Sequence, residues 1–445
     1  MTEASPPPQT DAVPLLEPSD GLPPVVTTAD ALAAAIEALG QGDGPVAVDA
    51  ERASGFRYGQ RAFLVQFRRH GAGTVLIDPV SCPDLSALDK ALAPAEAVLH
   101  AASQDLPCLA ELNYRPRLLF DTELAGRLLG YPRVGLATLV EEVLGLKLAK
   151  GHGAEDWSTR PLPEEWLRYA ALDVEVLVEL RDALAQQLED QGKAEWGRQE
   201  FAAELAAKPP GPRTDPWRRT SGIHRVRTRR GLAVVRELWE ERDAIARRRD
   251  LSPGRVLPDT AIIEAARAVP TAGGDLVAIP GFTGRGARRH IRDWLAAVSR
   301  ARAMPDSALP APSGPGNDGP PPTHRWAERD PAAAQRLTAI RAVVAELADS
   351  HNVRTENLLH PDAVRRLAWK PPEPTEPDAV ARQLAEFGAR PWQVGLATVP
   401  ITDALAHPGE KEADPADAAG NGAAGPDSTA GPDSVPEAGN GDHPR

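Results

Sequence analysis

The chain has 445 residues, of which 42% are hydrophobic, and a formal net charge of −13. This length allows two or three domains, and the sequence contains no uninterrupted run of about twenty apolar residues that could cross a bilayer. The opening MTEASPPPQTDAV lacks the basic and apolar segments of a secretory signal, so we expect a cytoplasmic protein, not bound to a membrane, whose two cysteines, Cys82 and Cys108, stay reduced.

The negative charge is concentrated at the two ends of the chain. Residues 1–25 carry −4 and residues 407–445 carry −6, which leaves −3 for residues 26–406. Both ends are rich in Pro, Gly, Ala and Asp and poor in aromatic residues, a composition that predicts disordered tails. The net charge therefore does not exclude a nucleic-acid partner for the central part.

The ordered part begins with a helix that Thr28 can cap and that runs to about Leu39. Three segments rich in β-branched residues follow, VAVDAE, AFLVQF and TVLIDPV, and their short connections predict antiparallel neighbours. After residue 84, helical segments alternate with VLHA and LLFDT, the pattern of parallel β-α-β units. These elements predict an α/β domain over residues 26–208, with a mixed sheet flanked by helices.

Asp49 and Glu51 end the first of these strands. Side chains at i and i+2 leave the same face of a strand, so the two carboxylates should point together with their anchor points about 7 Å apart. Carboxylates this close repel each other unless a cation lies between them, which suggests a metal site. An ordinary solvated strand end would give the same sequence.

Asp105 lies in the segment HAASQDL, after a predicted strand at Val98–Ala101. Ser103 can cap the helix that follows, with Asp105 in its first turn. Asp105 could then be a third acidic ligand, or it could merely complement the helix dipole. The segment alone does not separate these readings.

Tyr169 and Asp173 lie four residues apart in a helical pattern from Glu164 to Leu188. This spacing places them on one face of the helix, about 6 Å apart along its axis. Asp173 could hold a metal ion there while the phenol hydroxyl, with an ordinary pKa near 10, orients a water molecule. A core tyrosine beside a surface aspartate would show the same spacing.

The order of these three segments resembles the DEDD superfamily of 3'-5' exonucleases. The longer segments FDTELAGRLLG, GLATLVEEVLGLKLAKG and DWSTRPLPEEWLRYAALDVEVL resemble the ribonuclease D family more closely. Tyr169 indicates the tyrosine subgroup, because the histidine subgroup has His at the position of Arg168. The resemblance covers residues 26–303 and, more weakly, the chain to residue 406, and it implies a ribonuclease H-like exonuclease domain.

The same resemblance implies the chemistry of the site. Two divalent ions, Mg²⁺ or Mn²⁺, would be held by Asp49, Glu51, Asp105 and Asp173, one mainly by Asp49 and Asp173 and the other by Asp49 with Glu51 or Asp105. Tyr169 would position the attacking water. The expected reaction releases nucleoside 5'-monophosphates from single-stranded RNA 3' ends, with transfer RNA precursors as the expected substrate and a monomer as the favoured state.

A basic linker over residues 209–227 leads to an entirely helical domain at residues 228–303. Its segment AIPGFTGRGARRHIRDWL resembles the HRDC domain, a helical nucleic-acid-binding module, and its glycines would let a helix start approach a phosphate. The candidate RNA contacts are Gly281, Gly284, Arg285, Arg288, Arg289 and Arg292. Because arginine outnumbers lysine 43 to 7 in the whole chain, an ordinary solvated face could also explain this density.

A Pro/Gly-rich linker, residues 304–330, precedes a third helical block, residues 331–406, which could be a second HRDC-like domain. Trp369 and Trp392 fit the amphipathic pattern of this block and are expected in its core. Two other functions stay open, a DNA 3'-5' exonuclease and a catalytically silent RNA-binding scaffold. The chain has no GxxxxGK[ST] sequence that would indicate an attached motor.

Overall fold

The computed structural model describes residues 12–149, 151–208, 211, 213–312 and 319–408. The disorder predicted for residues 1–11 and 409–445 lies outside these described residues. Within them, no helix is both long and apolar enough to span a membrane.

A six-stranded sheet forms the centre of the first domain. The domain has eight strands in all, of which β1 and β8 lie outside this sheet. They are β1 (Val13–Leu15), β2 (Val25–Val26), β3 (Asp43–Arg52), β4 (Ala62–His70), β5 (Gly73–Ile77), β6 (Glu96–Leu99), β7 (Leu118–Asp121) and β8 (Leu146–Leu148). The sheet order is β2-β5-β4-β3-β6-β7, and β1 pairs separately with β8. Strands β3, β4 and β5 are antiparallel neighbours, whereas β6 and β7 run parallel to β3. The predicted mixed sheet is confirmed.

Helices cover this sheet. They are α1 (Ala29–Gln41), α2 (Ser86–Ala91), α3 (Leu106–Glu111), α4 (Thr122–Leu128), α5 (Leu136–Leu144), α6 (Glu164–Glu175), α7 (Leu177–Asp190) and α8 (Ala194–Ala206). Thr28 caps α1 as predicted, because its Oγ1 accepts a hydrogen bond from the Ala31 amide at 3.3 Å. The helix predicted from Glu164 to Leu188 is instead divided at Val176 into α6 and α7.

The N-terminal segment corrects the predicted disorder for residues 12–25. Residues 13–15 form β1, which pairs in parallel with β8. Beyond it, Glu17 accepts from Arg168 Nε at 2.7 Å and Asp20 accepts from Arg68 Nη1 at 2.9 Å. The acidic residues that suggested a solvated tail therefore hold residues 12–25 against the first domain.

The second domain is helical, as predicted. Its helices are α9 (Arg229–Arg249), α10 (Pro253–Val256), α11 (Asp259–Ala268), α12 (Gly273–Val277), α13 (Arg285–Arg288) and α14 (Ile291–Ala303). Phe282 and Trp294 lie in its core. Trp217 lies there too, so the linker predicted over residues 209–227 is wrong in its second half, where two 3₁₀ turns at Pro216–Arg219 and Ile223–Arg225 pack onto the domain.

The third block is also entirely helical in its described residues, 319–408. Its helices are α15 (Trp326–Arg329), α16 (Pro331–Ser350), α17 (Thr355–Leu358), α18 (Pro361–Trp369), α19 (Pro377–Glu386) and α20 (Pro391–Ala406). The linker predicted over residues 304–330 ends too late, because Trp326 is buried at the start of α15. Residues 313–318 of that linker lie outside the described part.

One hydrophobic core runs through the first domain and the third block. The ring of Trp392 stacks on that of Trp196, with centroids 4.4 Å apart and planes 13° apart. Trp369 packs near Trp326, with ring centroids 4.9 Å apart. Both tryptophans predicted for the core therefore pack there, and Trp392 does so across the joint between the two units.

The second domain docks on the β3–β4 loop, residues 53–61. Tyr58 Oη donates to Asp243 of α9 at 2.9 Å, and its amide donates to Asp250 at 3.3 Å. Arg255 of α10 donates to the carbonyl of Gly55 at 2.8 Å and lies over the ring of Phe56, 4.0 Å from its centroid. This loop directly follows the strand that carries Asp49 and Glu51.

We predict that Gly130→Ala loosens the joint between the first domain and the third block. Gly130 has a φ of +84°, and a Cβ there would lie 2.6 Å from the carbonyl oxygen of Asn352, which accepts from Lys193 Nζ at 3.3 Å. Gly145→Ala is the matched control, because Gly145 has a φ of +66° and open space around an added Cβ.

In denaturant melts, the control should lose about 1–2 kcal/mol of unfolding free energy from backbone strain alone. Gly130→Ala should lose clearly more, since the clash meets backbone that cannot rotate away. Equal losses in the two variants would show that the contact with Asn352 contributes nothing to the joint.

Candidate active site

Asp49 and Glu51 lie near the end of β3, which has β4 on one side and β6 on the other. In the antiparallel register with β4, Asp49 lies opposite Gln66 and Glu51 opposite Leu64. The alternation of the strand therefore turns both carboxylates to one face of the sheet. Helix α6 packs on that face.

Asp105 is held by the turn that follows β6. Ala101 has a left-handed backbone with φ of 57°, and a 3₁₀ turn at Ala102–Gln104 brings the chain to Asp105 at the start of α3. Ser103 lies inside that turn and makes no cap, so the predicted cap is wrong.

Asp121, at the end of β7, holds this turn in place through its carboxylate. It accepts hydrogen bonds from the amides of Ala101 at 3.1 Å and Ala102 at 2.7 Å. It also caps α4 by accepting from the amides of Glu123 and Leu124 at 2.8 and 3.1 Å. Asp121 thus satisfies four backbone donors and determines where Asp105 lies.

Tyr169 and Asp173 lie on α6, one turn apart. Ala170 and Ala171 between them are completely buried, and such small side chains let a helix lie close to a sheet. Burial and then the neighbouring Asp173 carboxylate raise the pKa of the Tyr169 hydroxyl above its ordinary value. The helix therefore presents a phenol and a carboxylate together to the end of β3.

A glycine-containing loop covers Tyr169. A Cβ at Gly153 would lie 3.5 Å from the Tyr169 hydroxyl, and the His152 ring meets the Tyr169 ring edge to face with centroids 5.8 Å apart. Trp157, fully buried, donates from Nε1 to the His152 carbonyl at 3.1 Å. Aromatic packing therefore holds this loop, which contains His152 and Gly153, over Tyr169.

Arg160 ties the same loop to the sheet. Its guanidinium forms a two-point contact with Asp78, at 3.1 and 2.8 Å, and donates to the carbonyl of Phe63 on β4 at 2.7 Å. Planar arginine–carboxylate pairs of this kind fix geometry as well as contribute energy. The segment DWSTRPL, residues 156–162, therefore connects the chain just before α6 to the sheet.

The five predicted residues of the exonuclease site come together in one cleft of about 430 Å³. Ligand oxygens of Asp49, Glu51 and Asp173 all lie within 4.8 Å of one another. Asp105 lines the same cleft, with Oδ1 3.4 Å from Arg52 Nη2. Residues separated by more than a hundred positions in the chain thus share one wall.

Burial raises the pKa of each of the four carboxyl groups, those of Asp49, Glu51, Asp105 and Asp173, above its ordinary value. For the last three, the nearby charge of Asp49 raises the pKa further. Arg52 opposes this effect at Asp49, Glu51 and Asp105. The cluster therefore holds negative charge that one guanidinium does not balance.

The donor set fits divalent ions that prefer oxygen. The clustered ligands are carboxylates, as Mg²⁺ and Mn²⁺ require, and a thiolate or imidazole set typical of zinc is not among them. His100 lines the cleft, but burial lowers its pKa to about 4, so it adds no positive charge at neutral pH. A divalent cation would relieve the repulsion that raises the carboxyl pKa values.

Gln66 is a further polar group beside the cluster. It is completely buried opposite Asp49, and neither its amide oxygen nor its amide nitrogen has a hydrogen-bond partner. An unpaired buried amide is costly unless something compensates it. Its register opposite Asp49 places it beside that residue on the neighbouring strand.

The predicted RNA contacts of the second domain lie apart from this cleft. Helix α13 ends at Arg288 and α14 begins at Ile291, so Arg289 lies in the turn between the two helices. Gly281 has a packing role, because an added Cβ would lie 2.6 Å from Ala261. Open space surrounds Gly284.

The four arginines of this segment share one property. They are exposed, and their side chains make no hydrogen bond or ion pair with the part of the chain that the structure describes. They are Arg285, Arg288, Arg289 and Arg292. Most other arginines of the domain, such as Arg225 and Arg267, which both pair with Glu264, are engaged.

Sequence reasoning missed Arg52, Gln66 and Asp121. Arg52 directly follows the Asp-x-Glu triplet and Asp121 lies in a quoted motif, so both carried a signal. Nothing in the sequence distinguishes Gln66 from an ordinary strand residue. Its importance follows only from its register with Asp49.

Three family patterns match consecutive parts of the chain. The pattern described as 3'-5' exonuclease matches residues 23–189, HRDC domain matches 231–298, and 3' to 5' exonuclease C-terminal domain matches 319–405. The last description differs from HRDC, so the HRDC-like character of the third block stays a prediction.

Curated and solved relatives agree with these matches. Ribonuclease D of Gluconacetobacter diazotrophicus is 32% identical over 80% of this chain and 88% of its own. A crystal structure of a protein from Bifidobacterium adolescentis is 38% identical, with a TM-score of 0.81 over 89% of this chain and all of that one.

The crystal structure of Escherichia coli RNase D, described as an exoribonuclease involved in structured RNA processing, is 29% identical. It superposes with a TM-score of 0.61 over 82% of this chain and 97% of the other. Sequence, fold and a shared order of domains point the same way. The chain belongs to the ribonuclease D family of 3'-5' exoribonucleases.

Proposed function

We propose that Asp49, Glu51, Asp105 and Asp173 hold two divalent ions, Mg²⁺ or Mn²⁺, and that this cleft is where RNA is trimmed. The observation that carries the proposal is the convergence of three carboxylates within 4.8 Å, with the fourth in the same cleft. When bound, the ions would activate a water molecule and stabilise the leaving 3' oxygen.

Tyr169 orients the attacking water in this proposal. Burial, together with the charges of Asp173 and Glu51, raises the pKa of its hydroxyl above the ordinary value, so the hydroxyl stays protonated at neutral pH. A protonated phenol donates one hydrogen bond and accepts others. It can therefore hold water in line with a phosphodiester without acting as the base.

The substrate end is a single-stranded RNA 3' end. A cleft of about 430 Å³ lies in the range of pockets that enclose one small ligand, which suits one terminal nucleotide and not a base pair. We assign precursors of transfer RNA as the natural substrate class. The assignment is supported by the ribonuclease D relatives, whose solved member from E. coli is described as acting in structured RNA processing.

The exposed arginines of α13 and α14 contact the body of such an RNA. Unpaired guanidinium groups are free to meet phosphates, whereas arginines already held by carboxylates are not. Contacts of this kind are independent of sequence and sensitive to salt. The second domain then adds affinity for long RNA, and the cleft acts on the end. Digesting matched RNA and DNA oligomers side by side tests the RNA preference directly.

Asp173→Asn should remove nearly all trimming of a labelled oligoribonucleotide in Mg²⁺ or Mn²⁺, because an amide does not ligate these ions as a carboxylate does. We expect a loss of at least about a hundredfold in kcat, measured by mononucleotide release. Asp190→Asn, at the exposed end of α7, is the matched control and should keep wild-type activity.

Thermal melts in EDTA show whether this variant folds. A carboxyl whose pKa is raised by folding destabilises the protein as pH rises above about 4. Removing that charge should therefore give Asp173→Asn a higher Tm than the wild type at pH 8, with the difference shrinking toward pH 5. A folded variant that still trims RNA would disprove the metal site.

Tyr169→Phe keeps the ring and deletes the hydroxyl. The rate should fall by at least about tenfold, since a positioned group is lost, while the Mn²⁺ concentration for half-maximal rate changes little. Tyr131→Phe is the control, because Tyr131 donates to Gln187 at 2.9 Å outside the cleft. An unchanged rate would reduce Tyr169 to a packing role.

Arg288→Gln combined with Arg292→Gln should weaken binding of a long structured RNA while leaving cleavage of a short oligomer unchanged. The slope of log affinity against log salt should fall by about 1.4 to 1.8, from two lost phosphate contacts. The control pair Arg225→Gln and Arg267→Gln removes the same charge from arginines held by Glu264. Equal slopes for both double variants would contradict the contact.

A further inference from the structure

Arg52 projects into the cleft although its position in the strand predicts the opposite face. It follows Glu51 directly, and neighbouring side chains of a regular strand alternate. The pairing with β4 shifts at this point, since Glu51 lies opposite Leu64 and Arg52 opposite Ala62, which passes over Phe63. Such irregularities commonly re-aim a side chain beside an active site.

Among the described residues, the guanidinium of Arg52 has one ion-pair partner, Asp105. Its Nη2 lies 3.4 Å from Asp105 Oδ1, and the side chain keeps 23% of its surface exposed. Arg52 is the one arginine or lysine among the described residues that line the cleft.

With substrate bound, the charges in the cleft would balance only with one more positively charged group. Four carboxylates carry −4, and two divalent ions would neutralise them, but each phosphodiester that enters adds −1. Arg52 supplies the missing +1. An arginine also presents several N–H donors in a planar fork that matches two oxygens of a phosphate.

We propose that Arg52 is a substrate-binding residue whose guanidinium binds a non-bridging oxygen of the 3'-terminal phosphodiester. Asp105 holds the side chain in position before RNA enters. This inference rests on the proposed function of the cleft and adds the group that recognises the charge of the substrate. The alternative is that the ion pair between Arg52 and Asp105 only stabilises the fold.

The test uses two oligoribonucleotides of ten residues that differ in one group. One has an ordinary 3'-terminal phosphodiester, and the other has an uncharged methylphosphonate at that linkage. Binding of both is measured to the full-length protein with Ca²⁺ in place of Mg²⁺, and the recovered oligomers are checked for intact length. The variants are Arg52→Gln, Arg52→Lys and Arg117→Gln.

Arg117→Gln is the matched control, because Arg117 forms an ion pair with Asp89 at 2.9 Å and precedes β7 at the edge of the sheet away from the cleft. It should bind both oligomers as the wild type does. Arg52→Gln should bind the phosphodiester about tenfold more weakly, as expected for a lost charge-assisted hydrogen bond. Its affinity for the methylphosphonate should change by less than about twofold.

Arg52→Lys keeps the charge and should retain most of the preference for the phosphodiester, which also covers the case in which Arg52→Gln unfolds. If Arg52→Gln weakens both oligomers equally, or neither, the assignment is wrong. Mononucleotide release by the wild type in Mg²⁺ is measured in parallel. If the wild type releases no mononucleotide, the proposed function is wrong. If it does release mononucleotide but Arg52→Gln changes the affinity for both oligomers equally, only this inference is wrong.

Discussion

Mutual repulsion among four carboxylates is the constraint on which the rest of the first domain depends; Glu51 and Asp105 are buried, and Asp49 and Asp173 are half-buried. A domain of this size is only marginally stable. Carboxyl groups whose pKa is raised by burial and, at Glu51, Asp105 and Asp173, by the charge of Asp49 must therefore be held by contacts elsewhere. Asp121 satisfies four backbone amides around the turn before Asp105. Arg160 braces the loop over α6 through Asp78. These contacts keep the carboxylates together.

Local geometry made part of this site predictable. The two-residue period of a strand joins Asp49 to Glu51, and the 3.6-residue period of a helix joins Tyr169 to Asp173. Neither period reports how separate segments meet, which only the family resemblance supplied. The cap predicted at Ser103 failed because the left-handed Ala101 depends on Asp121, far along the chain.

Long-range pairing explains the other differences from the sequence. Residues 12–25 have the composition of a tail, yet ion pairs with arginines of α6 and β4 hold them in place. Helical periodicity predicted the third block but not which surface its apolar face contacts. That face packs on the first domain through Trp392 and Trp196. Composition also could not separate arginines paired with carboxylates from exposed ones such as Arg285, Arg288, Arg289 and Arg292.

The docking of the second domain connects these features. Residues 53–61 begin directly after Arg52, and the same loop binds α9 and α10 through Tyr58 and Gly55. One continuous segment therefore carries two of the proposed metal ligands, Asp49 and Glu51, together with Arg52 and the contact surface for the HRDC domain. RNA bound by the arginines of α13 and α14 would be held by a domain fixed to the strand that lines the cleft.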